Sequence, residues 1–239
     1  MTIKENIEVI KEKIFNATLR SGRKAESVRL LMATKTVPAS IIIEAFETGE
    51  TLIGENKVQE LVEKADALSS WQHEVHFIGH LQSNKIKEVV KYASCIQSID
   101  RLEVAEKLEK RLANENKEMD VFVQVNTSKE VSKFGCTEEE VIPLIEKIRE
   151  FQHLKIKGLM TIGLFSDDAR LIRPCYKLLY KIKEQIEISH LVDESLHLSM
   201  GMSGDFEMAI EEGATIVRVG TNIFGKRIYP DSYYWNEQK

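Results

Sequence analysis

Residues 121–125 read VFVQV, an apolar run in which apolar and polar side chains hardly alternate. A strand with one face in water alternates strictly, whereas a parallel strand that is covered on both faces reads as a nearly continuous apolar run. The run therefore predicts a buried parallel strand with helices packed on both sides of its sheet. The rest of the chain should then alternate between such runs and helical patterns.

Seven further apolar runs flank this one, and amphipathic stretches separate each run from the next. They read VRLLMAT (28–34), TLIG (51–54), VHFIG (75–79), CIQSI (95–99), IKGLM (156–160), SLHLSM (195–200) and TIVRVG (215–220). Strands that alternate with helices pair in parallel, as an open sheet or a closed barrel. Eight repeats in 239 residues favour an α/β fold of the (β/α)8 TIM-barrel type, which typically takes about 250 residues. The first strand also lacks the G-x-G-x-x-G turn of a dinucleotide-binding sheet.

Helical patterns occupy the intervals and also the start of the chain. An extra N-terminal helix is predicted by isoleucines at steps of three and four residues, which are Ile3, Ile7, Ile10 and Ile14. A later helix is predicted by a stripe that consists of Leu171, Cys175, Leu178, Ile182 and Ile186. Another begins at Thr137, where Glu140 completes a capping box.

The composition indicates which classes of protein are compatible with the chain. With 43% hydrophobic and 30% charged residues, the chain has material for a core and for a solvated exterior. It contains four prolines and no low-complexity tract, so we expect a single domain over residues 1–239. A net charge of −5 disfavours nucleic acid or an anionic membrane as a partner, because phosphate surfaces attract basic proteins.

Cysteine usage and the start of the chain predict a cytoplasmic protein. Cys95, Cys136 and Cys175 are far apart and form no CxxC pair, which argues against a disulfide framework or a zinc knuckle. The start, MTIKENIEVIKEKI, has no apolar signal-peptide region. No stretch approaches the roughly 18 consecutive apolar residues that a membrane helix needs.

A lysine closes the first strand, where Met32-Ala33-Thr34 leads into Lys35. Barrel enzymes and binding proteins build their sites at the C-terminal ends of strands, so the amine of Lys35 is predicted to point into the barrel mouth. Burial penalises the ammonium form, and a neutral amine is the form that makes a Schiff base. The alternative is a lysine that leaves the strand and extends to water.

Two loops with small residues follow the seventh and eighth strands. Residues 199–205 read SMGMSGD and residues 218–225 read RVGTNIFG. Backbone N–H groups and hydroxyls of Ser203, Gly220 and Thr221 are candidate donors to a phosphate, which barrels often bind at this position. Taken singly, Ser203 is also a normal helix N-cap and the glycines are normal turn residues.

Together these stretches resemble a known family over nearly the whole chain. The resemblance lies in ATKT (33–36), IGENKVQE (53–60), HFIGHLQSNK (76–85), SID (98–100), GLMTIG (158–163), LSMGMSGDF (198–206) and VRVGTNIFG (217–225). In this order they are similar to the YggS/PROSC family of pyridoxal phosphate homeostasis proteins. The resemblance implies a fold like the N-terminal barrel of alanine racemase, with pyridoxal 5′-phosphate (PLP) as cofactor.

The resemblance also implies roles for individual residues. Lys35 would hold PLP as an internal aldimine, and Arg218 would face the pyridine nitrogen. Asn56 would lie near the ring, and His80 is given no role. The remaining positions would line the phosphate; they are Met200, Gly201, Ser203, Gly220 and Thr221.

A carrier is favoured over an enzyme. We expect the second, β-rich domain that supplies a catalytic tyrosine to alanine racemase to be missing, since few residues follow strand eight. Arg218 would also disfavour protonation of the ring nitrogen, which makes the ring a poorer electron sink. The predicted function is intracellular vitamin B6 homeostasis without robust turnover, by a monomer with apo-PLP enzymes as recipients. The alternatives are a racemase-like or transaminating PLP enzyme, and a colourless Schiff-base aldolase acting on a sugar phosphate.

Two further features are assigned no function. His73, His76 and His80 suggest a metal hydrolase, but side chains alternate along a strand, so these spacings do not bring the three rings to one face. No metal site is predicted. The aromatic tail with Tyr229, Tyr233, Tyr234 and Trp235 is expected to pack on the outer helices or on another protein.

Overall fold

The computed structural model describes residues 1–166 and 168–225. Eight parallel strands close into a barrel in chain order, with β8 paired to β1. The strands are β1 (Arg29–Ala33), β2 (Leu52–Glu55), β3 (Glu74–Phe77), β4 (Cys95–Ile99), β5 (Met119–Gln124), β6 (Leu154–Met160), β7 (His197–Ser199) and β8 (Ile216–Val219). The predicted barrel and all eight predicted strands are confirmed, with ends that shift by up to two residues.

Helices cover the outside of the barrel. Within the described residues they are α1 (Ile3–Arg20), α2 (Ala39–Phe46), α3 (Val58–Leu68), α4 (Ile86–Tyr92), α5 (Leu102–Glu115), α6 (Glu138–Ile148), α7 (Ala169–Ile188), α8 (Phe206–Glu211) and α9 (Thr221–Phe224). The predicted N-terminal helix is α1, and the capping box of Thr137 and Glu140 begins α6 as expected. One position of the α7 stripe is wrong, because Leu171 is 54% exposed. The aromatic tail lies outside the described residues.

The strands separate two apolar cores. A small inner core fills the barrel and consists of Leu31, Leu52, Ile78, Cys95, Phe122, Met160 and Ile216. The larger outer core lies between the strands and the helices. Gly158 shows how tightly the inner core is packed, since a Cβ there would lie 2.4 Å from the Phe122 ring.

Strand alternation decides which side chains reach the barrel mouth. Leu31 packs in the inner core with Ala33 against it, so alternate residues of β1 face inward and Lys35 continues this series at the strand's C-terminal end. Arg218 continues the inward series of β8, two residues after Ile216. The intervening residues, such as Met32, pack in the outer core.

Helix α1 lies against the last described elements of the chain. The side-chain amide of Asn6 donates to the Ile223 carbonyl at 2.8 Å, and Arg20 pairs with Glu207 at 3.0 Å. The barrel is thus closed at the junction of β1 and β8 and covered there by α1. Cys95, Cys136 and Cys175 are buried free thiols. Among the described residues, no helix has the length and apolar character to cross a membrane.

Candidate functional site

Lys35 lies at the mouth directly after β1 and is 4% exposed. The N–H of Thr34 donates to the Gly54 carbonyl at 3.0 Å, which extends the β1–β2 pairing to the residue before the lysine. Thr36 then takes a left-handed conformation with φ 64°. Such a φ is costly for a β-branched residue and persists only where neighbouring groups hold it.

The neighbouring groups are three charged side chains behind β1, which we call the lysine-side cluster: Glu55, Glu60 and Lys64. The Lys64 ammonium donates to the Thr34 carbonyl at 2.8 Å, to Glu55 Oε1 at 2.7 Å and to Glu60 Oε2 at 2.9 Å. Glu60 Oε2 accepts from the Thr36 N–H at 2.5 Å, and Glu55 Oε1 accepts from the Thr34 hydroxyl at 2.6 Å. The cluster therefore fixes the residues on both sides of Lys35.

The cluster also separates the roles of two nearby lysines. Lys64 has three acceptors for its three N–H donors, so its ammonium is fully bonded and has no lone pair for an aldehyde. Burial raises the pKa of Glu55, which is 1% exposed, while the charge and hydrogen bond of Lys64 oppose that shift. Lys35 continues the inward-facing series of β1, so of these two lysines it is the one that lies at the mouth.

Arg218 lies on β8, directly beside β1, where its backbone is in register with Leu31, and it is 5% exposed. Its Nη1 donates to the Ser199 hydroxyl at 2.9 Å and its Nη2 to the Thr161 carbonyl at 2.7 Å. Both acceptors are neutral, and burial lowers the pKa of Arg218 from its ordinary value. The guanidinium is therefore a fixed positive charge in a site of low dielectric, where charge acts strongly on a bound ligand.

Two glycines shape the loops after β7 and β8. Gly201 has φ 90°, and a Cβ there would lie 2.5 Å from the Ala209 Cβ and 2.9 Å from the Phe206 Cα. A Cβ at Gly220 would lie 2.8 Å from the Ala33 carbonyl. The second contact places the β8 loop directly beside the end of β1, two residues before Lys35. The backbone of both loops thus approaches its surroundings more closely than a side chain would allow.

The donors of these loops point to an anion site. Ser203 Oγ accepts from the Gly220 N–H at 3.2 Å, which leaves its hydroxyl proton to donate elsewhere. Within the part of the chain that the structure describes, the backbone N–H groups of Ser203, Gly204 and Thr221 donate to no protein acceptor. The Thr221 side chain is exposed at the same place. Hydroxyls and unpaired N–H groups in neighbouring loops are the donors that phosphate sites use.

The carboxylate of Asp205 holds the loop after β7 in its conformation. It accepts from the Met202 N–H at 2.6 Å and from the Tyr176 hydroxyl at 2.8 Å. Burial, and then the neighbouring carboxylate, raise the pKa of Tyr176, so the phenol stays protonated and donates. The loop shape is therefore tied to α7 by a partly buried hydrogen bond.

Met200, which is predicted to line the phosphate, comes directly before the first of these loops. Its side chain is fully buried in the outer core, and its N–H donates to the Ile216 carbonyl at 3.1 Å. Both groups are occupied by the fold, so we do not carry Met200 into the proposal below. Asn56 follows β2 and is half-buried, with its carbonyl 1.9 Å from where a Gly79 Cβ would lie.

The three histidines of the metal alternative have separate partners. His73 Nδ1 lies 2.8 Å from the Trp71 carbonyl. His76 contacts two polar side chains inside the barrel. His80 stacks on Phe134 with ring centroids 3.7 Å apart. No group of three metal-binding side chains occurs in the part of the chain that the structure describes.

Comparison with known proteins identifies the family of the chain. The family model described as alanine racemase, N-terminal domain, matches residues 2–228. The pyridoxal phosphate homeostasis protein of Aquifex aeolicus is 40% identical over 94% of this chain and 98% of its own length. PipY of Synechococcus elongatus, solved with PLP bound, has a TM-score of 0.80 at 30% identity and covers 94% of this chain and 100% of that one. Alanine racemase of Clostridium difficile shares the fold alone, with a TM-score of 0.72 at 12% identity over 92% of this chain and 60% of that one.

The fold and the mouth thus define a barrel of the alanine racemase N-terminal class. Within that class, the chain belongs to the YggS/PROSC family of pyridoxal phosphate homeostasis proteins. The resemblance predicted from the sequence motifs is confirmed.

Proposed function

We propose that this protein binds PLP through a Schiff base on Lys35 and serves in intracellular vitamin B6 homeostasis without robust turnover. One observation carries the proposal: the phosphate-type loop at Gly220 lies against Ala33, beside the end of the strand that presents Lys35. An amine and an anion site on neighbouring strands suit a ligand that carries an aldehyde and a phosphate on one small ring. PLP-bound PipY supports the same ligand class.

The residues present fit the cofactor. Close approach at Gly201 and Gly220 leaves backbone rather than side chains along the loops, as phosphate contact requires. In the proposal Gly201, Ser203, Gly220 and Thr221 surround the phosphate, with donors from Ser203, Gly204 and Thr221. Asn56 stands beside the ring.

Arg218 supports a carrier rather than an enzyme. When bound, PLP supplies an electron sink whose strength depends on a proton at the pyridine nitrogen. A buried guanidinium opposite that nitrogen opposes a second positive charge there. Arg218 would then hold the cofactor in a form that does little chemistry at the α-carbon of an amino acid. The names of the relatives, homeostasis proteins and not enzymes, agree with this reading.

The proposed recipients, oligomeric state and compartment follow from the same function. A carrier delivers PLP to apo-enzymes that use it, and we propose these as recipients, with the carrier acting as a monomer in the cytoplasm. The buried free thiols fit a reducing compartment.

Borohydride reduction tests the proposal. The protein should be yellow with PLP, and reduction followed by peptide mass mapping should place the pyridoxyl group on Lys35. Lys35→Ala should abolish fixation. Lys57→Ala, at another lysine close to the mouth loops, is the matched control and should retain it. A label solely on another lysine contradicts the assignment, a colourless protein that cleaves sugar phosphates indicates the aldolase, and robust racemisation or transamination contradicts the carrier.

A further inference from the structure

A chain of hydrogen-bonded side chains runs through the barrel from the mouth to the N-terminal ends of the strands. We call it the interior chain; in order its members are Arg218, Ser199, Gln97, His76 and Glu74. The successive distances are 2.9 Å, 2.6 Å, 2.6 Å and 2.6 Å. Four of the five residues are buried, and the carboxylate of Glu74 at the far end is partly exposed.

Each hydrogen bond of the interior chain has a fixed direction. A guanidinium only donates, so Ser199 Oγ accepts from Arg218 and must give its own proton to another acceptor. That acceptor is Gln97 Oε1. Since Gln97 Oε1 faces Ser199, the NH2 group of Gln97 faces His76 Nδ1 and donates to it. His76 Nδ1 must therefore carry a lone pair and no proton. The proton of His76 therefore lies on Nε2.

The far end of the chain completes this order. His76 Nε2 lies 2.6 Å from Glu74 Oε1, and a protonated Nε2 donates to it. The hydrogen bond from His76, with a second from Arg29, lowers the pKa of Glu74 to about 2. The carboxylate is thus ionised and only accepts. A cation at one end and an anion at the other give every bond between them the same direction.

We propose that Gln97 is a positioning residue for Arg218, acting through Ser199, with His76 fixing the orientation of its amide. The proposal rests on the proposed function, in which Arg218 faces the ring nitrogen of PLP. If the amide turned over, Ser199 would receive two donors and its own proton would lose its acceptor. A buried proton without an acceptor is costly, and turning the Ser199 hydroxyl to relieve it weakens the bond that Ser199 accepts from Arg218. Gln97 therefore determines the position of the Arg218 guanidinium at the proposed cofactor site.

The first test uses the protein without cofactor. Nitrogen-15 NMR of His76 should show an unprotonated Nδ1 and a protonated Nε2 at neutral pH. Gln97→Met, which keeps the size of the side chain, should change the Nδ1 shift of His76 and the guanidinium signals of Arg218. A proton on Nδ1 in the wild type, or Arg218 signals that do not respond, overturns the proposal whatever the protein binds.

The second test measures PLP binding. Gln97→Met should weaken PLP by about tenfold, the effect of one lost hydrogen bond to a charged group. Ser199→Ala should weaken it to the same degree, and the double variant no further, because the two residues act in series. Gln97→Glu should raise the pH at which the absorption band of bound PLP titrates, since a negative charge favours protonated forms.

Gln124→Met and Gln124→Glu are the matched controls. Gln124 is buried on β5 and donates to the Phe134 carbonyl at 3.1 Å, outside the interior chain. Both control variants should alter stability without shifting the pH at which the absorption band of bound PLP titrates. Additive losses from Gln97→Met and Ser199→Ala, or an equal shift in Gln124→Glu, contradict the proposal. A wild type that takes no PLP contradicts the proposed function instead, and the NMR test still decides the interior chain.

Discussion

The two sides of the barrel mouth are held by different means. Around Lys35, the backbone is held by charged side chains from β2 and α3, with Lys64 at the centre. Around the phosphate-type loops, the backbone is held by close packing at Gly201 and Gly220 and by the hydrogen bonds that Asp205 accepts from two neutral donors, and no ion pair among the described residues lies at the centre. The lysine side should therefore respond to changes of charge, and the loop side to changes of shape.

The largest effect is expected from Lys64→Met. The substitution leaves Glu55 buried without its cation, and breaking such a pair costs about 3–5 kcal/mol. The free energy of unfolding from urea titration should fall by roughly this amount at neutral pH. The double variant Lys64→Met/Glu55→Gln should recover much of the loss. A Lys64→Met protein as stable as the wild type would mean that the cluster does not hold the end of β1.

The pH profile of Lys64→Met sharpens this test. Burial raises the pKa of Glu55, and without Lys64 nothing of comparable strength opposes the shift. A group with a raised pKa contributes stability below its unfolded pKa, about 4.3 for glutamate, and loses it as the pH rises through the folded value. The deficit of the variant should therefore be smallest at acidic pH and grow towards neutrality. A deficit that is constant with pH would assign the loss to packing.

Shape is tested by Gly201→Ala. The left-handed φ and the contacts at 2.5 Å and 2.9 Å make alanine strained and overpacked, and together these cost roughly 2–4 kcal/mol. PLP affinity should fall with the distortion of the loop. Gly204→Ala, in the same loop but with nothing within 4 Å of its Cβ, is the control for stability and should unfold like the wild type. Equal effects of the two substitutions would contradict the role of shape.

Smaller effects are expected from the hydroxyls of the loops. Ser203→Ala removes a donor and also the acceptor of the Gly220 N–H, so its cost in PLP affinity should be about 1–3 kcal/mol. Thr221→Val should lie at the lower end of that range, because Thr221 is exposed. Equilibrium titration measures the affinity of each variant for PLP and for pyridoxal, which lacks the phosphate. Equal affinity for both ligands would mean that the loops bind something other than the phosphate.

The sequence was sufficient for the fold because each element carries its own local signal. Runs such as residues 121–125 and the capping box at Thr137 depend on residues within a few positions of one another. Strand ends carry a weaker local signal: the sequence predicts a strand over residues 195–200, and β7 comprises only His197–Ser199. The strand ends there because Gly201 turns the chain with a positive φ, although Met200 and Gly201 still make backbone hydrogen bonds to β8.

Only some of the residues at the mouth carry a local signal in the sequence, for a physical reason. The place of Lys35 follows from the end of β1, whereas the role of Arg218 is implied only by the resemblance to the family. Alternation places Met200 on the outer side of the barrel, since Ser199 faces inward, and places Glu55 behind the sheet, since Gly54 faces inward. The interior chain had no local signal, because Ser199 and Gln97 are 102 residues apart and meet only when the barrel closes.

The closure of the barrel has a consequence for the lifetime of the protein. Strand β8 meets β1 at a junction that α1 covers through Asn6, and Thr221 begins the helix which Asn6 contacts. A ligand that is bound by both Lys35, after β1, and Thr221, after β8, would bridge the first and last strands. The junction between these strands then cannot open until the ligand is released. At a free ligand concentration of 100 times Kd, this linkage adds about 2.7 kcal/mol to the stability of the folded state. Under the proposed function, proteolysis would then remove the protein fastest when PLP is scarce, and the cellular amount of carrier would follow the supply of its cofactor.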